Sequence, residues 1–215
     1  MRLKTMGWIV AILLAGAGAV AAETTKVVML GDSLTAGYGL RTEDGLVPQM
    51  GRWLQAEGVA DVALVNAGVS GDTTAAGLAR LDWSLDAETD ALVVILGGND
   101  ILRGIDPAVT RANLEAILQG AAARDLPVLL VGLYASQNYG TAYKTAFERI
   151  HPELAEAYGA LYEPNFFQGL SDGSNDPSAY LKYMQRDGIH PSAEGVARIV
   201  DRIGPKFVEL IEAAR

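Results

Sequence analysis

The chain contains no cysteine and only two histidines among its 215 residues. The first absence excludes disulfide bonds, thiolate catalysis and zinc sites built on cysteine. An oxidising compartment remains open to it, because a domain of this size can stand on its core alone. The second absence leaves few side chains able to exchange a proton near neutral pH. Basic residues are also outnumbered, 17 Lys and Arg against 26 Asp and Glu, for a formal charge of −9. An acidic surface argues against nucleic acid or anionic lipid as the main partner and favours solubility. No repeat and no linker divides the sequence, and its length suits one domain. Half of the residues are hydrophobic and 20% are charged, so a sizeable core is available and nothing reads as disordered.

The first 22 residues stand apart. Arg2 and Lys4 form a basic start, Trp8 to Leu14 is an apolar run, and Ala15 to Ala22 holds only Ala, Gly and Val. This layout predicts a secretory signal peptide over residues 1–22, cleaved near Ala21 or Ala22, ahead of a single domain over 23–215. The competing reading is a transmembrane anchor, but the stretch from Met6 to Ala22 is short and small-residue-rich in its second half. A periplasmic or secreted protein is expected, without stable membrane insertion after cleavage and as a monomer. Loss of Arg2 and Lys4 would make it two charges more negative.

The remainder alternates strand-like and helix-like segments. Strands are expected at Lys26–Leu30, Val62–Val65, Ala91–Leu96, Val128–Val131 and, in short form, Leu161–Tyr162. Helices are expected at Leu46–Ala56, at Thr74–Leu85 with Asp72 or Thr73 as N-cap, and at Pro107–Arg124, where Leu114, Ile117, Leu118 and Ala121 form one stripe. Thr141–Tyr158 is helical, with an interruption possible around His151-Pro152. The tail from Ser192 is helical, and Gly204-Pro205 should kink or split it. Asn165–Pro177 is rich in Gly, Ser, Asn and Asp and reads as a long loop. Continuous apolar strands alternating with helices predict a parallel sheet covered on both faces.

Ligands of such sheets gather at the carboxyl ends of the strands. Three short polar segments leave the first three strands: Gly31-Asp32-Ser33-Leu34, Ala67-Gly68-Val69-Ser70-Gly71-Asp72 and Gly97-Gly98-Asn99-Asp100. A serine hydroxyl becomes a useful nucleophile only when a base takes its proton. His190 lies three residues after Asp187, a spacing that lets the carboxylate hold Nδ1–H and leaves Nε2 for Ser33. Read alone, Asp187 and His190 are a loop carboxylate and an exposed imidazole. His151, mid-helix before Pro152, reads as a surface or half-buried side chain. Acyl transfer also needs donors for an oxyanion. The Ser33 N–H, the Gly71 N–H at a helix start and the Asn99 amide are the candidates. Taken singly, Gly71 reads as a turn residue and Asn99 as a loop cap. That all three follow successive strands is what those readings leave unexplained.

These segments resemble the conserved blocks of the SGNH (GDSL) hydrolases: Gly31-Asp32-Ser33-Leu34 block I, Gly71 block II, Gly97-Gly98-Asn99-Asp100 block III and Asp187-x-x-His190 block V. The order and separations are also similar, over about Val27 to Leu210. The likeness is greatest to the periplasmic thioesterase I/protease I/lysophospholipase, or arylesterase, group. The segments Gly31–Tyr38, Asn66–Thr73, Leu96–Gly104 and Asn138-Tyr139-Gly140 carry it. It implies a three-layer α/β/α sandwich with a mostly parallel five-stranded sheet. It further implies Ser33 as nucleophile, His190 as base, Asp187 as orienter, oxyanion donors at Ser33, Gly71 and Asn99, and no cofactor. The implied substrates are small-molecule esters or thioesters: aryl esters, fatty acyl thioesters or lysophospholipids. Leu161–Met184 matches less clearly and is the candidate to shape an acyl pocket. A carbohydrate acetylesterase and a non-catalytic binding domain on the same fold are the alternatives.

Overall fold

The computed structural model describes residues 24–171 and 178–215, so the expected signal peptide and its boundary lie outside the described residues. Five strands form one sheet: β1 (Thr25–Gly31), β2 (Val62–Gly68), β3 (Ala91–Ile95), β4 (Val128–Val131) and β5 (Leu161–Glu163). All neighbours pair in parallel, in the order β2-β1-β3-β4-β5. Val27 to Leu30 and Ala91 to Leu96 are fully buried, as expected where helices cover both faces.

The helices are α1 (Ser33–Ala36), α2 (Leu46–Ala56), α3 (Thr74–Ala79), α4 (Leu81–Ser84), α5 (Gly98–Arg103), α6 (Pro107–Ala122), α7 (Gly140–Glu148), α8 (Ile150–Tyr158), α9 (Ser178–Leu181) and α10 (Ala193–Ala213). α2 and α10 pack together on one face; α3, α6 and α8 form the layer on the other. The parallel sheet covered on both faces that the alternation predicts, and the three-layer sandwich that the resemblance implies, are therefore present. In α10 the stripe of Val196, Ile199, Val200, Ile203, Phe207, Leu210 and Ile211 is buried.

Four local expectations need correction. The helix expected over Thr74–Leu85 is two helices, separated at Arg80. The Arg80 side chain turns back to Asp72 (2.7 Å) and to the Gly31 carbonyl (2.9 Å), which ties the break to the end of β1. The helix over Thr141–Tyr158 breaks at Arg149, not at His151-Pro152. Pro152 lacks the N–H that would bond the carbonyl four residues back, so its effect falls on Glu148 and the residue after it. Gly204-Pro205 does not split α10. Pro205 is on the exposed face, where water can satisfy the Asp201 carbonyl, while Gly204 lies so close to Trp53 that a Cβ would fall 2.6 Å from its ring. Finally, the expected loop at Asn165–Pro177 begins with a 3₁₀ turn, Phe166–Leu170, capped by Asn165 and anchored by buried Phe166 and Leu170. Residues 172–177 of that call lie outside the described residues.

The sheet order fixes where a ligand should bind. β2 lies on one side of β1 and β3 on the other, so the chain reverses direction between them. The crevice at the carboxyl ends of β1 and β3 is the switch point.

Candidate active site

β1 delivers Ser33 to that crevice. Asp32 follows the strand and caps α1, its Oδ1 accepting the Leu34 N–H at 3.0 Å, which turns the chain sharply and makes Ser33 the first helical residue. The turn needs room. α1 passes so close to the end of β2 that a Cβ on Gly68 would lie 2.3 Å from the Ala36 nitrogen.

The loop before α10 supplies the imidazole. Asp187 Oδ1 accepts the N–H groups of Ile189 (2.9 Å) and His190 (3.0 Å), closing an Asx-type turn. Its Oδ2 lies 2.7 Å from His190 Nδ1, and His190 Nε2 lies 2.8 Å from Ser33 Oγ. An ionised carboxylate only accepts, so Nδ1 carries the hydrogen and Nε2 presents its lone pair to the serine hydroxyl. The hydrogen bond from the imidazole, followed by those from the His190 and Ile189 amides, holds the Asp187 carboxyl down to about 2. It is therefore ionised across the working pH range. The Tyr38 ring stacks at a tilt against His190, with centroids 4.6 Å apart.

Asn99 stands in the first turn of α5, at the end of β3. Its Nδ2 is 3.3 Å from Asp32 Oδ2, and both side chains line the same cleft as Ser33 and His190. The cleft, about 150 Å³, is otherwise walled by Leu34, Ile101, Leu102, Leu133, Tyr134, Phe167 and Ile189. A larger cleft of about 470 Å³ opens at the amino ends of the strands beside Thr25, Asp61, Asp90 and Arg215. It brings together no nucleophile and base.

Gly71 does not line the serine cleft. It sits in the turn between β2 and α3, ahead of Thr73, which is the true N-cap and accepts from the Ala76 N–H. It is thus not at the helix start that the sequence suggested. Its φ of +89° accounts for glycine at this position, and its carbonyl accepts a hydrogen bond from Arg103 Nη2 at 2.8 Å.

His151 also departs from expectation. It is 1% exposed, packed against Phe147, with Nε2 3.4 Å from the Leu96 carbonyl. Burial pushes its pKa down to about 4. It lies outside the serine cleft.

Asp32 carries more of the site than its sequence suggested. It is 2% exposed, and burial pushes its pKa up to about 6 against the hydrogen bonds from Leu34 and Asn99. The readable signal was its N-cap position directly before the serine. Asp100 is buried too, accepting from the Thr74 N–H (2.9 Å), Thr74 Oγ1 (2.6 Å) and Thr110 Oγ1 (3.1 Å). It locks α3 and α6 to the start of α5, and so fixes the turn that carries Asn99.

Residues 29–198 match the model of the GDSL-like Lipase/Acylhydrolase family. The chain belongs to this family. As a GDSL-like member it is an acyl hydrolase. Esterase TesA of Pseudomonas aeruginosa is 41% identical over 192 residues, covering 89% of this chain and 90% of its own. Thioesterase 1/protease 1/lysophospholipase L1 of Escherichia coli is 35% identical over 194 residues, covering 89% and 87%. The psychrotrophic esterase EstA from Pseudoalteromonas sp., solved as inhibited by monoethylphosphonate, superposes with a TM-score of 0.77 at 29% identity, covering 87% of this chain and 99% of its own. The GDSL-like chain thus shares both sequence and α/β/α architecture with esterases along nearly its whole described length. Among the described residues, no helix is long and apolar enough to cross a membrane.

Proposed function

We propose that this acyl hydrolase cleaves carboxylic esters and thioesters through an acyl-enzyme on Ser33, with His190 as base and Asp187 as its orienter. The observation that carries the reading is the unbroken hydrogen-bond chain from Asp187 through His190 to Ser33 at the mouth of an apolar cleft. Ser33 Oγ attacks the acyl carbonyl carbon while its proton passes to His190 Nε2. The carbonyl electron pair collects on oxygen, where the Ser33 N–H and the Asn99 amide, both lining the cleft, are the donors, with the Gly71 N–H of the β2–α3 turn as the third candidate. Collapse breaks the bond to the leaving oxygen or sulfur, which takes the proton from Nε2. Water then repeats the sequence with the roles of Ser33 and the leaving group exchanged. The two hydrogen-bonded carboxylate oxygens of Asp187 support the imidazolium that forms on the way. No step requires a cofactor.

The substrates are aryl esters, fatty acyl thioesters and lysophospholipids. Leu102, Leu133, Tyr134, Phe167 and Ile189 favour an acyl chain beyond acetyl, and the names of the relatives include esterase, thioesterase and lysophospholipase. The enzyme acts as a monomer in the periplasm, or outside the cell, after removal of residues 1–22. A series of p-nitrophenyl esters of rising chain length tests the substrate assignment. Hydrolysis of butyrate and longer chains supports it. Strict preference for acetate would favour a carbohydrate acetylesterase instead.

A further inference from the structure

Asp32 performs no bond-making step in the mechanism above, yet its carboxylate is buried between the serine and Asn99. Oδ1 is occupied by the Leu34 N–H at 3.0 Å and Oδ2 by Asn99 Nδ2 at 3.3 Å. An amide side chain has two nearly isosteric ends, one donating and one accepting, and its orientation is set by its neighbours. An ionised carboxylate only accepts. Turning the Asn99 amide over would set its oxygen against Oδ2 of a carboxylate that is only 2% exposed and so poorly screened by solvent. The first residue of α5 packs directly on the same oxygen: a Cβ on Gly98 would lie 3.1 Å from Oδ2.

We infer that Asp32 is a positioning residue: its carboxylate selects the orientation of the Asn99 amide in which nitrogen, not oxygen, is available beside Ser33. The inference rests on the reading of Asn99 as an oxyanion donor. One N–H of the amide is spent on Asp32, and this anchors the direction of the second. An unanchored amide would present its oxygen to the developing oxyanion for part of the time, which raises the barrier without weakening substrate binding.

The charged surroundings of Asp32 decide how this link depends on pH. His190 faces it from the loop before α10 and favours the ionised form; Asp100 faces it from α5 and disfavours it. Arg80, from the α3–α4 junction, spends its guanidinium on Asp72, the Gly31 carbonyl and Ser84 Oγ. Burial outweighs the hydrogen bonds and leaves the group titrating at about 6. Above that value the carboxylate accepts only. Below it the carboxyl can donate, and the preference imposed on Asn99 is lost.

The test is a double-mutant cycle on p-nitrophenyl butyrate with Asp32→Asn, Asn99→Ala and the double variant. Asp32→Asn should lower kcat by roughly 10- to 100-fold with KM within about twofold, and should add less than about threefold in the Asn99→Ala background. Asp32→Ser, which keeps a capping oxygen for Leu34 but does not extend to Asn99, should behave alike. A full Asp32→Asn loss repeated in the Asn99→Ala background, or an unchanged kcat in Asp32→Asn, would overturn the inference. An unchanged kcat in Asn99→Ala would instead overturn the oxyanion reading on which it rests. A second readout does not need Asp32 to be replaced. In ¹⁵N-labelled His190→Ala protein, where the site holds no imidazole, the Asn99 side-chain amide signals should shift with the Asp32 carboxyl, at a midpoint above the wild-type value of about 6 because the His190 charge that favours the ionised form is gone. Signals that stay still across that range would contradict the link.

Discussion

His190 Nε2 stands 2.8 Å from Ser33 Oγ, although 157 positions separate the two residues. The fold closes that gap with two fixtures. β1 ends in a capped turn that exposes the serine, and Gln185 ties the histidine loop to it. Gln185 Nε2 donates to the carbonyls of Tyr38 (2.8 Å) and Pro191 (3.0 Å), while its backbone N–H holds the His190 carbonyl at 2.7 Å. The nucleophile and its base are thus clamped by backbone contacts on both sides, leaving the two side chains to face each other across the cleft.

His190→Ala should lower kcat/KM by several orders of magnitude, nearly as much as Ser33→Ala, and the double variant should lose little more, because the two act as one unit. Asp187→Asn should cost less than either. Activity should fall in acid, because turnover needs a neutral imidazole to take the Ser33 proton, and protonation of Asp32, which titrates at about 6, adds to the fall. Asp187, held down to about 2, cannot cause that fall. Profiles of kcat/KM against pH for the wild type and each variant check this. Strictly additive losses would argue for separate roles.

Asn99→Ala should lower kcat by roughly 10²–10³, about 2.7–4 kcal/mol of transition-state stabilisation, with a smaller change in KM. Steady-state kinetics on one p-nitrophenyl ester decide. A change confined to KM would mean that Asn99 only positions substrate.

His151 should matter for stability and not for turnover. Burial lowers its pKa to about 4, so the folded state resists a proton that the unfolded chain accepts readily below its ordinary 6.5. The sign is therefore a loss of stability as pH falls from neutrality through the unfolded value, complete once the folded value is passed. Order-of-magnitude linkage puts that loss at roughly 3 kcal/mol. His151→Phe should flatten the dependence of Tm on pH between about 7 and 4 and leave kcat within about threefold. A wild-type-like pH slope in the variant would show that the linkage lies elsewhere.

Export predicts a mature protein beginning at Ala22 or Glu23, with Arg2, Lys4 and the apolar run removed. N-terminal sequencing of the protein from the periplasm or medium gives the answer. Membrane-bound protein retaining Met1 would contradict it.

Much of the architecture was legible because the strands are continuous apolar runs, and β4 begins and ends where its run does. The α2 helix was equally clear, since its buried Val47, Met50 and Leu54 recur on one face. The breaks were harder. Arg80 interrupts a helix through bonds to Asp72 and Gly31, partners that only the fold brings within reach. Pro205 looks like a helix breaker in sequence, but its position on the exposed side of α10 makes it tolerable. In the candidate site, Ser33, Asp187 and His190 could be named from their spacing and resemblance. The burial of Asp32 and its contact with Asn99 could not, because 67 residues separate the pair and neither side chain advertises the other.

The most direct test of the central claim is covalent labelling of Ser33. A serine-reactive phosphonate should inactivate the enzyme with one adduct per chain, mapped to Ser33 by peptide mass spectrometry. Folded Ser33→Ala should take up no label and lose activity by several orders of magnitude. An adduct on another residue, or a folded Ser33→Ala protein that keeps its esterase activity, would contradict the assignment of Ser33 as nucleophile.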